Sequence, residues 1–290
     1  MTSPLARGAC PRLSAPMQTG DGLLARIVTV GPIPLDKFAL LCAAAREHGN
    51  GVIEIGARGS VQVRGLTSQS APLFAEVVTS LGVDVCDGMP VIVSPLCDDP
   101  AALIDADGLA ADLRGAIAER DLALAPKVSV AVDGGGLLHL DALAVDIRLR
   151  AVRTASGPML HVALAGDASS ATPLGLAALG NAPEVVTELL SAIAALGPEA
   201  RAAELLRAKG IGAVRASLRA RLAPAPQLPP RKAAEFIGRH WLKDGACALG
   251  LGLAFGHSHA DALITLAGVA EKNGADWARP APDRALLLGP

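Results

Sequence analysis

Three groups of residues in this 290-residue sequence have types and spacings suited to chemistry. The first is Arg58, Gln62 and Arg64 within Glu54–Leu66 (EIGARGSVQVRGL). In a strand, residues of equal parity share a face. These three can therefore stand together while Val61 and Val63 point into a core. Arg26, mid-strand between Leu24 and Val28, adds a fourth polar group. Guanidinium groups fixed on strands hold carboxylates in a two-pronged geometry. The same alternation also describes any half-exposed strand, and a lone strand arginine is commonly solvated. The second group is His257-Ser-His259-Ala-Asp261, two imidazoles and a carboxylate at alternate positions, a set that suits non-haem iron. Those residues equally open a helix that Ser258 or Asp261 caps. The third is Lys127, ahead of a strand that runs into Gly134-Gly-Gly136, a glycine run read first as a hairpin turn and only weakly as a phosphate cradle. No nucleophile elbow, phosphate-binding loop, zinc ribbon or dinucleotide fingerprint is present to support another enzyme class.

Composition narrows the classes. At 51% hydrophobic and 19% charged, the chain is not disordered. Its net charge of −2 provides no field for nucleic acid or an anionic membrane, and 2% aromatics with no tyrosine leave no base-stacking platform. The mean hydropathy of +0.41 comes from dispersed Ala, Leu and Val, and charge-free stretches such as Ala168–Pro183 are broken by Pro, Gly and Asn. A membrane span needs about 20 apolar residues in a row, so none is expected. Cations are 20 Arg to 6 Lys. Cys10, Cys42, Cys86, Cys97 and Cys247 are odd in number and scattered, which reads as reduced thiols of a cytoplasmic protein.

Periodicity and turn residues predict the elements that position these groups. Leu23–Val30 reads as a strand, Leu35–His48 as a helix, and Val52–Ile55 and Ser60–Val63 as strands around Gly56–Gly59. Pro72–Leu81 reads as a helix and Val91–Val93 as a strand, in the β-α-β-β-α-β order of a ferredoxin-like unit. Beyond it, Ala101–Glu119 reads as a helix, and Lys127–Val132 with Leu137–Leu140 as a hairpin. Val145–Val152 and Met159–Ala165 read as strands. Asn181 opens a helix to Leu196, and Glu199–Leu222 forms another. Ala223–Pro230 (APAPQLPP) is a stiff linker. Cys247–Pro290 then repeats the element order of Leu24–Gly65 at an offset of 225 residues and stops at its third strand. The expected class is α+β, in four parts: a ferredoxin-like half-domain over 1–95, a central α+β domain over 96–222, a linker over 223–230, and a second, incomplete ferredoxin-like half-domain over 231–290.

Two ferredoxin-like halves around an α+β centre resemble the nitrite/sulfite reductase superfamily, whose central part is the siroheme-reductase-like domain. Within it, Arg7–Leu24 (RGACPRLSAPMQTGDGLL) is similar to the opening of the precorrin-3B synthases. Glu54–Leu66 is similar to that family's tetrapyrrole-contacting strand pair. Val93-Ser-Pro-Leu96 resembles the start of its central domain, and Pro126-Lys127 continuing into Val132–Gly136 its lysine-bearing hairpin. The resemblance spans essentially the whole chain. It implies an oxidoreductase of aerobic cobalamin synthesis that inserts oxygen from O2 into precorrin-3A to give the hydroxylated lactone precorrin-3B. It also implies iron, a 4Fe-4S cluster and an external electron donor. By the same resemblance, Arg26, Arg58, Gln62, Arg64 and Lys127 bind the polyanionic macrocycle.

Two departures qualify that expectation. A cubane needs four thiolates close together, which the family supplies as C-x5-C and C-x3-C after the second repeat. The cysteine gaps here are 32, 44, 11 and 150 residues, so the cluster ligands are missing from this chain. Met89 and Ser129 stand where the reductase branch has an anion-binding Arg and its second Lys, which argues against siroheme chemistry and disfavours sulfite or nitrite as substrate. The alternative reading is a tetrapyrrole-binding protein without redox activity. A separate cluster-bearing chain that completes the last half-domain is the partner the repeat suggests.

Overall fold

The computed structural model describes residues 10–96 and 98–290. A hairpin, β1 (Met17–Thr19) and β2 (Gly22–Ile27), precedes β3 (Ile33–Pro34), α1 (Leu35–His48), β4 (Val52–Ile55), β5 (Val61–Leu66) and α2 (Ser70–Ser80). The middle comprises β6 (Val91–Val93), α3 (Ala106–Ala118), β7 (Val130–Asp133), β8 (Val145–Thr154), β9 (Gly157–Gly166), β10 (Thr172–Ala177), α4 (Ala182–Ala194), α5 (Ala202–Ser217) and β11 (Leu222–Ala223). Then follow β12 (Gly238–Trp241), β13 (Cys247–Gly252), β14 (His257–His259), α6 (Ala260–Lys272), β15 (Trp277–Ala281) and β16 (Ala285–Gly289). The chain packs as two units, Met1–Gly88 with Phe236–Pro290, and Met89–Glu235. No helix is long and apolar enough to cross a membrane among the described residues.

The first unit contains both copies of the repeat. One sheet has the order β1-β2-β5-β4-β14, the other β12-β13-β16-β15-β3. Each copy lends its short strand to the other's edge: His257–His259 pair with Glu54–Val52, and Ile33–Pro34 pair with Ala278–Trp277. This exchange covers one edge of each sheet, a place where exposed backbone groups would otherwise invite association. The helices lie over one face. Phe38, Leu41 and Cys42 of α1, Phe74 and Val78 of α2, and Leu263 and Ala267 of α6 share a core with Ile27, Ile53, Val61, Val63, Leu286 and Leu288. Each large side chain fully buried there contributes about 1.5–3 kcal/mol.

One strand of the expected ferredoxin-like order lies elsewhere. Val91–Val93 does not return to the first sheet; it pairs in parallel with β7 in the second unit, and β1 takes the place beside β2. The second copy also has a full five-stranded sheet, because β12 and the borrowed β3 flank it. The part of the first copy without a counterpart in the second is helix α2.

The second unit is built on a sheet of order β11-β10-β9-β8-β7-β6, with α3, α4 and α5 contributing to its core. The hairpin expected from Lys127–Val132 and Leu137–Leu140 is absent. Val130–Asp133 is buried on both faces and pairs in parallel with β6 and β8. A continuous apolar run of this kind suits a covered parallel strand. The glycines after it make a close approach instead: a Cβ at Gly136 would sit 2.5 Å from Asp99 Oδ2, the oxygen that accepts the Leu137 N–H. Strand β10 lies in a stretch whose Pro173 and Gly175 read as strand breakers, and a bulge between them absorbs the irregularity. Asn181 precedes α4 without a side-chain cap, whereas Asp105 caps α3 by accepting the Gly108 N–H at 3.0 Å.

Candidate functional site

The face of the first sheet opposite the helices is polar, and strand registers align its side chains. Arg26 pairs with Gln62, Gln62 with Glu54, and Glu54 with His257. Paired residues project to the same side, so β2, β5, β4 and β14 contribute one row across the sheet. Ile27, Val61 and Ile55, one position along each strand, are buried beneath it. Gln62 is held closely, since a Cβ at Gly56 would lie 3.2 Å from its Nε2.

Arg64 is on this face but is satisfied by carboxylates. Its Nε lies 3.1 Å from Asp21 Oδ2 and its Nη1 3.2 Å from Glu54 Oε2. The same Glu54 oxygen is 3.2 Å from His257 Nε2. Hydrogen bonds from Arg64, then from Thr19, hold the Asp21 carboxyl down at about 2. A depressed carboxylate adds stability above its unfolded value, near 3.9, and loses it as pH falls through the folded value. Asp21 should therefore titrate near pH 2 by carbon-detected NMR and return toward 3.9 in Arg64→Ala. Because the pair is half-exposed, the change in stability should stay below about 1 kcal/mol. A midpoint near 4 in the wild-type chain would refute the tie.

Arg26 differs. Its half-buried side chain makes no ion pair or hydrogen bond among the described residues. Burial foremost, and then Arg12 and Arg58, hold its guanidinium below its ordinary value, with Cys10 and Asp87 acting the other way. Asp87 is engaged with backbone, accepting the Leu13 and Ser14 N–H groups at 3.1 and 3.2 Å, and so ties the opening segment beside Arg26. Arg58 is not on β5 as the alternation predicts. It sits in the turn before it and bridges to Pro282, and Gly59, at φ 77°, lies so close to Ala281 that a Cβ would meet backbone at 3.0 Å. The turn still leaves Arg58 near Arg26. The structure thus gathers Arg12, Arg26 and Arg58 as a cationic group and leaves Arg64 in a neutralised one. Arg12 lies within the opening motif, but no spacing marked it out.

Lys127 lies in the other unit, in an exposed turn ahead of β7. Ser129 is fully buried, with its N–H donated to Asp146 Oδ2 at 3.0 Å. The histidine motif does not assemble as a ligand set: His257 contacts Glu54, Asp261 is paired with Arg46, and His259 is exposed at the end of β14. Among the described residues, the group of three potential ligand side chains that does meet is Asp133, His139 and Asp141. Arg231 already binds both carboxylates. Both ring nitrogens of His139 are engaged, Nε2 donating to Lys232 O at 2.8 Å and Nδ1 accepting the Asp141 N–H at 3.3 Å. This is an ion-pair clasp on residues 231–232, without a free donor for a metal.

The cysteines do not fit an iron–sulfur cluster. No group of three thiols meets among the described residues, and Cys97 lies outside them. Burial pushes the Cys42 thiol up to about 12, so it is unsuited to bind metal as a thiolate.

The fold is a mixed α+β one that a solved structure shares. A solved structure, that of the NirA protein of Mycobacterium tuberculosis, superposes with a TM-score of 0.76 over 92% of this chain and 53% of that one, at 19% identity. By sequence, the chain is similar to a precorrin-3B synthase of a Sinorhizobium species, 39% identical over 98% of its length. The resemblance read from the opening segment is thereby borne out. The chain spans 62% of that relative's length. No family profile matches the sequence.

Proposed function

We propose that this chain acts in aerobic cobalamin biosynthesis as a precorrin-3B synthase-like oxidoreductase, with precorrin-3A as its substrate. The observation that carries this reading is the 39% identity to a precorrin-3B synthase over nearly the whole chain. The reaction class would place one oxygen atom of O2 on the macrocycle. The other would leave as water, with two electrons from an external donor and two protons. The described cysteines do not fit the family's cluster.

The residues of this chain would bind and orient. Precorrins are edged by carboxylates, and a half-buried guanidinium without a counter-ion is most stable when it receives one. Arg26, with Arg12 and Arg58, would hold acid side chains of the macrocycle, and Gln62 would donate from the same row. Arg64 would contribute less because Asp21 and Glu54 already occupy it. By the family resemblance alone, Lys127 would also bind the substrate.

The test pairs binding with stability. Arg26→Met should weaken precorrin-3A binding by about 10- to 100-fold, the cost of one charged hydrogen-bonded contact. It should leave the melting temperature unchanged or raised, because it removes a desolvated charge that makes no ion pair or hydrogen bond among the described residues. Lowered stability with unaltered binding would reject the site. Incubation with precorrin-3A, O2 and a reductant, followed by mass spectrometry, tests the reaction. The scattered cysteines favour a second reading, a tetrapyrrole carrier without redox activity, which predicts binding but unchanged substrate mass.

A further inference from the structure

The sheet of the second unit has one apolar and one charged face. Val132, Leu149, Val162 and Ala177 share a core with the helices. One position along each strand, the registers align a different row: Asp133 pairs with Arg150, Arg150 with His161, and His161 with Leu176. Paired residues project to the same side, so three titratable groups meet there on adjacent strands. Arg148, two residues before Arg150, stands on the same face. The segment after β7 brings His139 and Asp141 to this face, and Arg231 binds Asp133 and Asp141 together.

Three guanidiniums here meet two carboxylates. Arg231 takes both carboxylates, and Arg148 donates to the Leu140 carbonyl at 2.9 Å and to the Leu143 carbonyl. Arg150 is left short. Its Nη1 is 3.9 Å from Asp141 Oδ2, outside hydrogen-bond reach, and its Nε is buried without a hydrogen-bond partner. His161, directly across from it, is 9% exposed, and its ring makes no hydrogen bond among the described residues. The charges acting on that ring are cations: burial foremost, then Arg150 and Arg148, hold it below its ordinary value. Asp133 is on the opposite side of Arg150 and is engaged by Arg231. A desolvated cation with an unmade hydrogen bond costs free energy until an anion supplies the acceptor.

We propose that Arg150 Nε and the His161 ring form a binding site for one carboxylate group, on the face of the central sheet opposite its helices. One negative charge brings the three guanidiniums and two aspartates into balance, and a carboxylate offers one oxygen to each donor. The site binds best when His161 is protonated, because the charged ring then places a second cationic donor beside Arg150. Affinity therefore rises as pH falls through the His161 midpoint. The groups facing the ring are Arg148 and Arg150 on β8 and Leu176 on β10, with Asp133, His139, Asp141 and Arg231 gathered around the two arginines. The carboxylate belongs either to a small free acid or to an acid side chain of the macrocycle, and the site stands without the reading of the chain as a synthase.

The probe is sodium formate, which stays ionised below the usual histidine range. Ring C–H signals of the six histidines are followed against pH by proton–carbon NMR, with sodium chloride at equal ionic strength as the reference for plain screening. At about 0.1 M formate the His161 midpoint should rise by about one unit, a tenfold preference for the charged ring. His48 and His259 should not follow. Arg150→Lys keeps the charge but lacks the Nε donor; it should weaken formate about tenfold while His161 keeps its low midpoint. Precorrin-3A separates the two sources. Movement of His161 at about micromolar precorrin-3A assigns the carboxylate to the macrocycle, and movement with formate alone assigns it to a small free acid. A His161 midpoint that neither ligand moves overturns the proposal. So does an equal formate response in Arg150→Lys, which is diffuse attraction without a site. Failure of precorrin-3A to bind at all would count against the proposed function and leave the formate result standing.

Discussion

Asp146→Ala should destabilise the central unit by about 4 kcal/mol, within the range for breaking a buried, multiply bonded charge. Asp146 is 3% exposed. Its carboxylate accepts the Ser129 N–H at 3.0 Å, the Ala202 N–H at 3.0 Å, and Arg201 Nε and Nη2 at 2.9 and 2.7 Å. One side chain therefore joins the residue ahead of β7 to the start of α5. Alanine leaves two buried backbone donors without acceptors and an arginine without its counter-ion. Urea denaturation followed by hydrogen exchange at Ser129 and Ala202 reads the effect, and both amides should lose protection together. A loss under about 1 kcal/mol, within the range for exposed pairs, would mean that water replaces the carboxylate. Asp146→Asn should fall between, because the amide oxygen keeps an acceptor but loses the charge.

Arg231→Met should cost the same unit about 3 kcal/mol by leaving buried carboxylates short of a partner. Arg231 joins Asp133, 2% exposed at its side chain, with Asp141, 15% exposed. Burial pushes the Asp141 carboxyl up, but Arg231 outweighs it, with His139 and Arg150 adding to the effect, and holds the carboxyl below the usual range. The stability from Asp141 is then complete above the unfolded value near 3.9 and is lost as pH falls through the lower folded value. Without Arg231, burial acts against His139, Arg148 and Arg150, so the rise in stability as pH climbs through the acid range toward the unfolded value should flatten. Unfolding midpoints measured across that range check the sign. A parallel displacement of the two curves would show that Arg231 acts through packing alone.

Sequence and structure agree where the physics is local. Leu35–His48 is a helix with the predicted bounds because its apolar spacing, its acidic first turn and Gly49 all lie within one stretch of chain. Val52–Ile55 and Val91–Val93 are likewise found as read. The repeat is also legible, since element order survives even where identity does not. Agreement fails where the answer depends on distant partners. Val91–Val93 reads identically whether it closes a ferredoxin-like unit or starts a second sheet. Lys127–Leu140 reads as a hairpin because glycines mark a turn, while parallel pairing with β6 and β8 leaves no local trace.

The same division runs through the candidate site. Parity placed Gln62 and Arg64 on one face, and register confirms that face. Parity said nothing of Asp21 and Glu54, which neutralise Arg64, or of Arg12, which stands near Arg26. It also put Arg58 on a strand it does not join.

By itself, then, the sequence determined many of the element types, the doubled module, the scattered cysteines and the likeness to the precorrin-3B synthases. These depend on side-chain period, turn chemistry and residue identity along a few neighbouring positions. Only the tertiary structure decided that the modules exchange edge strands and which arginines are neutralised. Strand pairing, ion pairing and burial are energies between residues tens to hundreds of positions apart. No short stretch of chain records them.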